Sequence, residues 1–324
     1  MKVIILAGGG GLRLWPLSTL TKPKQFLKLF DGKSCFELAV EKALKFAKPK
    51  DIVIVTNEAF EKEVKEQLGS IDCHILFEPC GKNTLGAICF ALSFVNQDEL
   101  FLCLCSDHLI QGENFFTSVE LASTLAYKNI VLFGIPPDRV ESGYGYIHVK
   151  RKDVVKFIEK PKPDVAKALI ETGEYVWNTG MFFFSRHVFE NALFEHCKEH
   201  AQLYKQGFET LKAQFHTLPS ISFDYAILEK VRNRKCMQLE DVFWSDVGSF
   251  DALYQLFKKD DMQNVTGKNT KVLDAKGNLV ISDKPVVLVD CEDLIVIENA
   301  GKLLVTKRGS SQKVKEIVKE KVIS

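Results

Sequence analysis

LAGGGGLRLWPLSTLTKPKQF, residues 6–26, joins a short apolar run to four consecutive glycines, with Arg13, Lys22 and Lys24 close behind. The run it ends, VIILA (3–7), is apolar throughout, as a strand buried on both faces of a parallel sheet requires. Glycine lets backbone approach a ligand closely and aim its N–H groups at phosphate, at a cost in chain entropy. Two familiar phosphate-loop spacings fail here. Walker A would need a second glycine where Arg13, Leu14, Trp15 or Pro16 stands. The dinucleotide fingerprint meets Arg13 in one register and Leu14, Trp15 or Pro16 in others. The stretch therefore reads as a phosphate loop of another kind, with its own cations.

Outward from this loop, further apolar runs recur at 51–57, 74–79, 100–107 and 129–135. Segments with apolar residues three and four apart lie between them, at 35–47, 60–68, 83–95 and 115–126. This βαβα order predicts an open α/β sheet, Rossmann-like, mixed but mostly parallel, with ligands beyond the C-terminal strand ends. After about residue 140, GYGYIHVK, VVKFIEK and GMFFFSR read as strands, and His187 to Lys212 as a helical stretch. From about 259 the chain changes to short strands broken by turns, a small β-rich, β-helix-like C-terminal element. It closes on SSQKVKEIVKEKV, an amphipathic helix with Ser310 or Ser311 as N-cap. The expected division is a catalytic domain over 1–258 and this element over 259–324.

Composition narrows the function. The 324 residues are 46% hydrophobic and 26% charged, with 43 Lys+Arg against 42 Asp+Glu. A net charge of +1 gives no general pull toward nucleic acid or a membrane surface, so any anion site is local. Nine cysteines, without a C-x-x-C pair and mostly in apolar runs, fit a reduced, cytoplasmic protein. No run is long enough to span a bilayer, and the apolar start is too short for a signal peptide.

The opening stretch resembles the signature of the sugar-nucleotide pyrophosphorylases, nucleotidyltransferases that act on sugar 1-phosphates. Its Leu-Trp-Pro-Leu-Ser and Pro-Lys-Gln-Phe variant is similar to the mannose-1-phosphate guanylyltransferase branch. EPCGKNT (78–84), CSDHLI (105–110), GYGYI (143–147), FIEKP (157–161), WNTGMFFF (177–184), FDYAILEK (223–230) and WSDVGSF (244–250) resemble further blocks, in the family's order. One departure is Lys82, where the family usually carries Arg; Lys keeps the charge but lacks the planar fork.

The resemblance implies GMP transfer from GTP to mannose 1-phosphate, giving GDP-mannose and pyrophosphate. The sugar phosphate is already an anionic nucleophile, so the protein must align, screen and stabilise charge rather than remove a proton. Arg13 and Lys24 are the expected transition-state cations, Lys24 being preferred to Lys22 by the motif match. Asp107 and Asp246 are the expected catalytic carboxylates and ligands of Mg²⁺, a cation that accepts few protein ligands. Gly8, Gly9, Gly10, Gly11, Lys82, Asn83 and Ser106 would line the nucleotide. Gly145, Glu159, Lys160 and Asn178 would meet mannose and its phosphate. Nothing in the spacing itself selects guanine, and the oligomeric state, including a homodimer, stays open. The same chemistry with another nucleotide or hexose is a close rival. A regulatory paralogue without turnover is a second, though it should lack one of the four catalytic residues.

HCKEH (196–200) matches H-x-x-E-H, an inverted zinc-protease pattern, but has no clear third ligand. Longer bacterial members of the family carry a second domain that isomerises mannose 6-phosphate. The absence of an H-x-H cluster beyond residue 216 predicts no isomerase activity here.

Overall fold

The computed structural model describes residues 1–95 and 99–319. Two compact units emerge, and neither is one continuous segment: Met1–Gly8 with Phe36–Trp244, and Gly9–Cys35 with Ser245–Ser324.

The first unit is built on a nine-stranded sheet. Its leading strands are β1 (Lys2–Leu6), β2 (Ile52–Asn57), β3 (His74–Glu78) and β4 (Leu100–Cys105). A short β5 (Leu109–Gln111) precedes β6 (Ile130–Ile135), β7 (Tyr146–Lys150), β8 (Asp153–Ile158), β9 (Tyr175–Ser185) and β10 (Arg234–Gln238). The sheet order is β3-β2-β1-β4-β9-β6-β10-β8-β7. Parallel pairing joins β1, β2, β3 and β4, and separately β6 and β10. β9 runs antiparallel to both β4 and β6, and β8 to both β10 and β7, which makes the sheet mixed. The apolar runs became strands because Val, Ile and Leu fill both pleated faces; β2 and β6 are buried along nearly their whole length.

Helices α1 (Cys35–Phe46), α2 (Glu61–Leu68), α3 (Asn83–Phe94) and α4 (Asn114–Ala126) follow the expected segments. α3 is buried on most sides, with Leu85, Ile88, Phe90 and Leu92 in the main core. α5 (Pro163–Glu171) begins at a proline, suited to a first helical position that has no use for its N–H. The helical stretch expected from His187 to Lys212 consists of three helices: α6 (Arg186–His196), α7 (Lys198–Tyr204) and α8 (Phe208–Ala213). Non-helical backbone at Cys197 and a left-handed Gly207 make the breaks.

The second unit holds the glycine loop and the C-terminal element. β11 (Phe243–Ser245) lies where the chain passes from the first unit to the second, and it leads into α9 (Phe250–Leu256), whose Ser249 cap accepts the Ala252 N–H. β12 (Thr270–Leu273) pairs in parallel with β14 (Val286–Val289), and β13 (Leu279–Ile281) with β15 (Leu294–Asn299). Parallel rungs between strands about one short turn apart make a β-helix-like coil. β16 (Lys302–Lys307) closes it antiparallel to β15. Buried Asn264 and Asn278 bridge successive turns: Asn278 Nδ2 donates to Asn264 Oδ1 at 2.9 Å and to the Cys291 carbonyl at 3.0 Å. The final helix, α10, spans Val314–Lys319 after a tight turn over Ser311–Lys313; the end of its expected range, 320–322, lies outside the described residues. The expected cap is corrected. Ser310 occupies the cap position without a side-chain bond, and the Ser311 hydroxyl bonds Asp251 instead.

Candidate active site

In the first unit, the C-terminal ends of β3, β1 and β4 lie along one sheet edge. Gly8 follows β1, Glu78 ends β3, and Ser106 and Asp107 follow β4. Ala7 is anchored there by donating to Val55 and accepting from Thr56 Oγ1 at 3.0 Å. Ser106 is buried and donates its N–H to the Leu6 carbonyl at 3.1 Å. A Cβ on Gly8 would lie 3.2 Å from Glu78 Oε2, so the absent side chain leaves room for that carboxyl. Glu78 is buried, and burial pushes its pKa up to about 8. Its Oε1 has no hydrogen-bond partner among the described residues. The sequence reading missed this residue, although it opens the EPCGKNT block.

Asn83 starts α3 in left-handed backbone, at φ 64°, and its own Oδ1 accepts the Thr84 N–H at 2.8 Å. Asparagine tolerates that conformation through such local bonds. Lys82 precedes it at the helix N-terminus, where its cation and the positive end of the helix dipole suit an anion.

Asp107 has Cys105 and His108 for neighbours, their ligand atoms all within 4.8 Å. The chemistry of this donor set decides what it can hold. Cys105 Sγ donates to the Gly180 carbonyl at 3.2 Å, so it stands as a thiol. Trp244 Nε1 donates to His108 Nδ1, which leaves the proton on Nε2, 3.6 Å from Asp107 Oδ1. Thiol sulfur and imidazole nitrogen are softer donors than Mg²⁺ prefers, whereas the Asp107 carboxylate is a hard oxygen ligand of the kind Mg²⁺ takes.

The four expected sugar residues come together farther along the sheet. Asn178 pairs with Gly134 beside the C-terminal end of β6 and donates its backbone N–H to the Gly145 carbonyl at 2.8 Å. A Cβ on Gly145 would lie 2.6 Å from Glu159 Oε2, so the absent side chain leaves that carboxyl its place. Lys160 bonds Glu159 from left-handed backbone at φ 46°. Asp224 joins them, accepting from Asn178 Nδ2 at 2.9 Å. Burial and the nearby Glu159 hold its carboxyl well above the usual range. Burial works against the Lys160 ammonium, but Glu159 and Asp224 outweigh it and its pKa ends raised. Asp224 sits in a π-helical turn, Asp224–Leu228, a form frequent at functional sites. It was also missed, because an Asp in an apolar helical pattern reads as a surface residue until its partners are seen.

In the second unit, Gly11 adopts φ 52°, and a Cβ there would lie 2.8 Å from the Lys24 backbone nitrogen. Gly9 and Gly10 have nothing within 4 Å of that position, so no packing within the chain demands glycine there. Ser18 closes the loop, its Oγ donating to the Gly11 carbonyl at 2.7 Å. Lys24 Nζ donates to the Asp246 carbonyl. Asp246 Oδ1 accepts the Gly248 N–H at 3.0 Å across Val247, a β-branched residue held at φ 46°. Such strain persists only where surrounding structure over-determines it. Lys24 and Asp246 are thus together here, with Arg13 on the same unit, while Asp107 belongs to the other.

A model of the nucleotidyl transferase family matches residues 2–263, and one of the MannoseP isomerase/GMP-like beta-helix domain matches 268–320. The chain belongs to the nucleotidyl transferase family. A mannose-1-phosphate guanylyltransferase of Escherichia coli is 33% identical, covering 97% of this chain and 74% of the relative. The xanthan biosynthesis protein XanB of Xanthomonas campestris is 36% identical, covering 98% and 72%. A solved structure from Thermus thermophilus, described as a mannose-1-phosphate geranyltransferase, superposes with a TM-score of 0.92 at 28% identity over 99% of both chains.

The zinc-protease pattern does not survive in this nucleotidyl transferase. His196 ends α6 and His200 lies in α7, beyond the break at Cys197, so the two do not share one helical face. Burial lowers the His200 pKa, and its Nε2 is enclosed without a partner among the described residues. All nine cysteines are free thiols. No helix among the described residues is long and apolar enough to cross a membrane.

Proposed function

We propose that this nucleotidyl transferase moves GMP from GTP to mannose 1-phosphate, releasing pyrophosphate. The relatives' names support the reaction, and one observation in this chain supports the base: the buried Glu78 carboxyl with its unpartnered Oε1 beside Gly8. Guanine presents two adjacent donors, N1–H and the 2-amino group, which match the two oxygens of one carboxylate and would favour the ionised form of Glu78 against the protonated form that burial favours. Uracil and thymine present one donor between two acceptors, and adenine has no matching pair of donors on that edge.

Open space over Gly9 and Gly10 supports backbone contact with the triphosphate. Arg13 and Lys24 would stabilise charge on the leaving pyrophosphate. Glu159, Asn178 and Asp224 would read mannose hydroxyls, and Lys160 would meet the sugar phosphate. Asp107 and Asp246 are the proposed ligands of Mg²⁺, which supplies charge neutralisation on the phosphate oxygens when bound. The cytoplasm, where nucleoside triphosphates and reduced thiols coexist, is the proposed location. A homodimer is the proposed assembly; sedimentation at twice the chain mass would support it, and a monomer at micromolar concentration would exclude it.

Pyrophosphate release over a matrix of sugar 1-phosphates and nucleoside triphosphates tests the reading. Release with GTP and mannose 1-phosphate, lost in Asp246→Asn, is expected. Release with another pair would keep the chemistry and overturn the substrates. Binding without release would favour a regulatory paralogue.

A further inference from the structure

The turn Leu12–Leu14 carries Arg13 straight after the glycines. Its backbone is secured below by Leu14, fully buried, and by Ser18, whose N–H donates to the Leu14 carbonyl at 2.9 Å. The Arg13 side chain is long and has many rotamers, so backbone anchoring alone does not aim its guanidinium. One contact outside the loop does. Arg13 Nη1 donates to Gln312 Oε1 at 3.2 Å, across 299 residues of sequence within the same unit.

The backbone on either side of the exposed Gln312 is anchored. The neighbouring Ser311 is fully buried, and its hydroxyl donates to Asp251 Oδ2. The Gly309 N–H donates to the other Asp251 oxygen at 2.7 Å. Val314, at the start of α10, is buried as well. A second tie runs beside the first: Asn299 Nδ2, at the end of β15, donates to the Pro16 carbonyl at 2.7 Å. The C-terminal element thus grips both the backbone and the cation of the loop.

We propose that Gln312 is a positioning residue, which fixes one arm of Arg13 so that its remaining N–H groups are aimed at the reacting phosphates. This rests on the assignment of Arg13 to those phosphates. A neutral amide suits the task. It accepts one of the five guanidinium N–H bonds without neutralising the charge, whereas a carboxylate would pair with the cation and compete with phosphate for it.

Steady-state kinetics of four variants test the proposal: Gln312→Met, Gln312→Glu, Arg13→Ala and the double variant Gln312→Met/Arg13→Ala. Gln312→Met keeps the length of the side chain and removes the acceptor. It should lower kcat roughly three- to tenfold with little change in the KM for GTP, and should not alter the thermal midpoint. In the Arg13→Ala background the same substitution should cost nothing further. Gln312→Glu should also lower kcat, and kcat should recover as pH falls and the new carboxyl is protonated. A merely structural role would leave that pH profile unchanged. Full activity in Arg13→Ala would overturn the assignment of Arg13 itself. Impaired Arg13→Ala beside unimpaired Gln312→Met, a rise in kcat in Gln312→Met, or an undiminished loss in the double variant would overturn the positioning role alone.

Discussion

Glu78 is a carboxyl that burial holds protonated to about pH 8, in a place where an anion would serve the base better. Its raised pKa has a cost to folding. Between its ordinary value of 4.5 and about 8, the folded chain keeps a proton that the unfolded chain has lost. Stability therefore falls as pH rises through that window, and the loss is complete above it. Glu78→Gln removes this titration, so its stability gain over the parent should be larger at pH 8.5 than at pH 5.5. Urea unfolding at the two values measures it, and an equal difference at both would refute the burial argument. The same substitution bears on specificity. The parent should favour GTP over ITP, which lacks the 2-amino group, by roughly ten- to a hundredfold in kcat/KM, and Glu78→Gln should narrow that gap. The glycines offer a parallel contrast. Gly11→Ala meets a left-handed φ and the Lys24 backbone, and should destabilise by about 1–3 kcal/mol. Gly9→Ala meets nothing within the chain, so its thermal midpoint should hold while the KM for GTP rises. A drop in midpoint for Gly9→Ala would give that glycine a structural role instead.

Among the elements, the β-coil carries two buried asparagines beside its apolar residues, which include a cluster of Ala275, Val280, Leu288 and Val296. Asn278 donates to Asn264 and the Cys291 carbonyl and accepts the Leu294 N–H at 2.8 Å. Asn278→Ala strands several buried groups at once and should cost roughly 2–4 kcal/mol, read by chemical denaturation. A loss below about 0.5 kcal/mol would mean that water replaces the bonds. Elements also divide what could be foreseen from what could not. Strands β1, β2, β3, β4 and β6 were legible because apolar runs rich in Val, Ile and Leu have few other stable homes, whereas β10, RKCMQ, carries no such run and was not read as a strand. The break at Cys197 was not, since periodicity continues through it and only backbone geometry separates α6 from α7. In the same way Lys82, Asn83 and Asp107 could be assigned to strand ends and helix starts from spacing. Asp224 could not, because its meaning comes from Asn178 and Glu159, 46 and 65 residues earlier in the sequence.

At the scale of the whole molecule, chain order and compact units part company. The glycine loop follows the first strand of the sheet, yet Gly9–Cys35 groups with the residues from Ser245 onward. No local pattern signals this, because the ties are single long-range bonds such as that of Asn299 to Pro16. The proposed metal carboxylates divide in the same manner, Asp107 in one unit and Asp246 in the other. If both ligate one Mg²⁺, removing either should abolish the same function. Asp107→Asn and Asp246→Asn should each lower kcat/KM by at least about a hundredfold at saturating Mg²⁺, and the double variant should be little worse than the weaker single one. Independent roles would instead multiply the two losses, since effects at uncoupled sites add in free energy. The conservative change to asparagine keeps shape and one oxygen, so thermal unfolding should stay close to the parent in all three. Mg²⁺ titration separates the cases further: a shared ion predicts a raised requirement for Mg²⁺ in each single variant. Multiplicative losses with an unchanged requirement would leave the two aspartates as separate electrostatic contributors and remove the case for a shared metal.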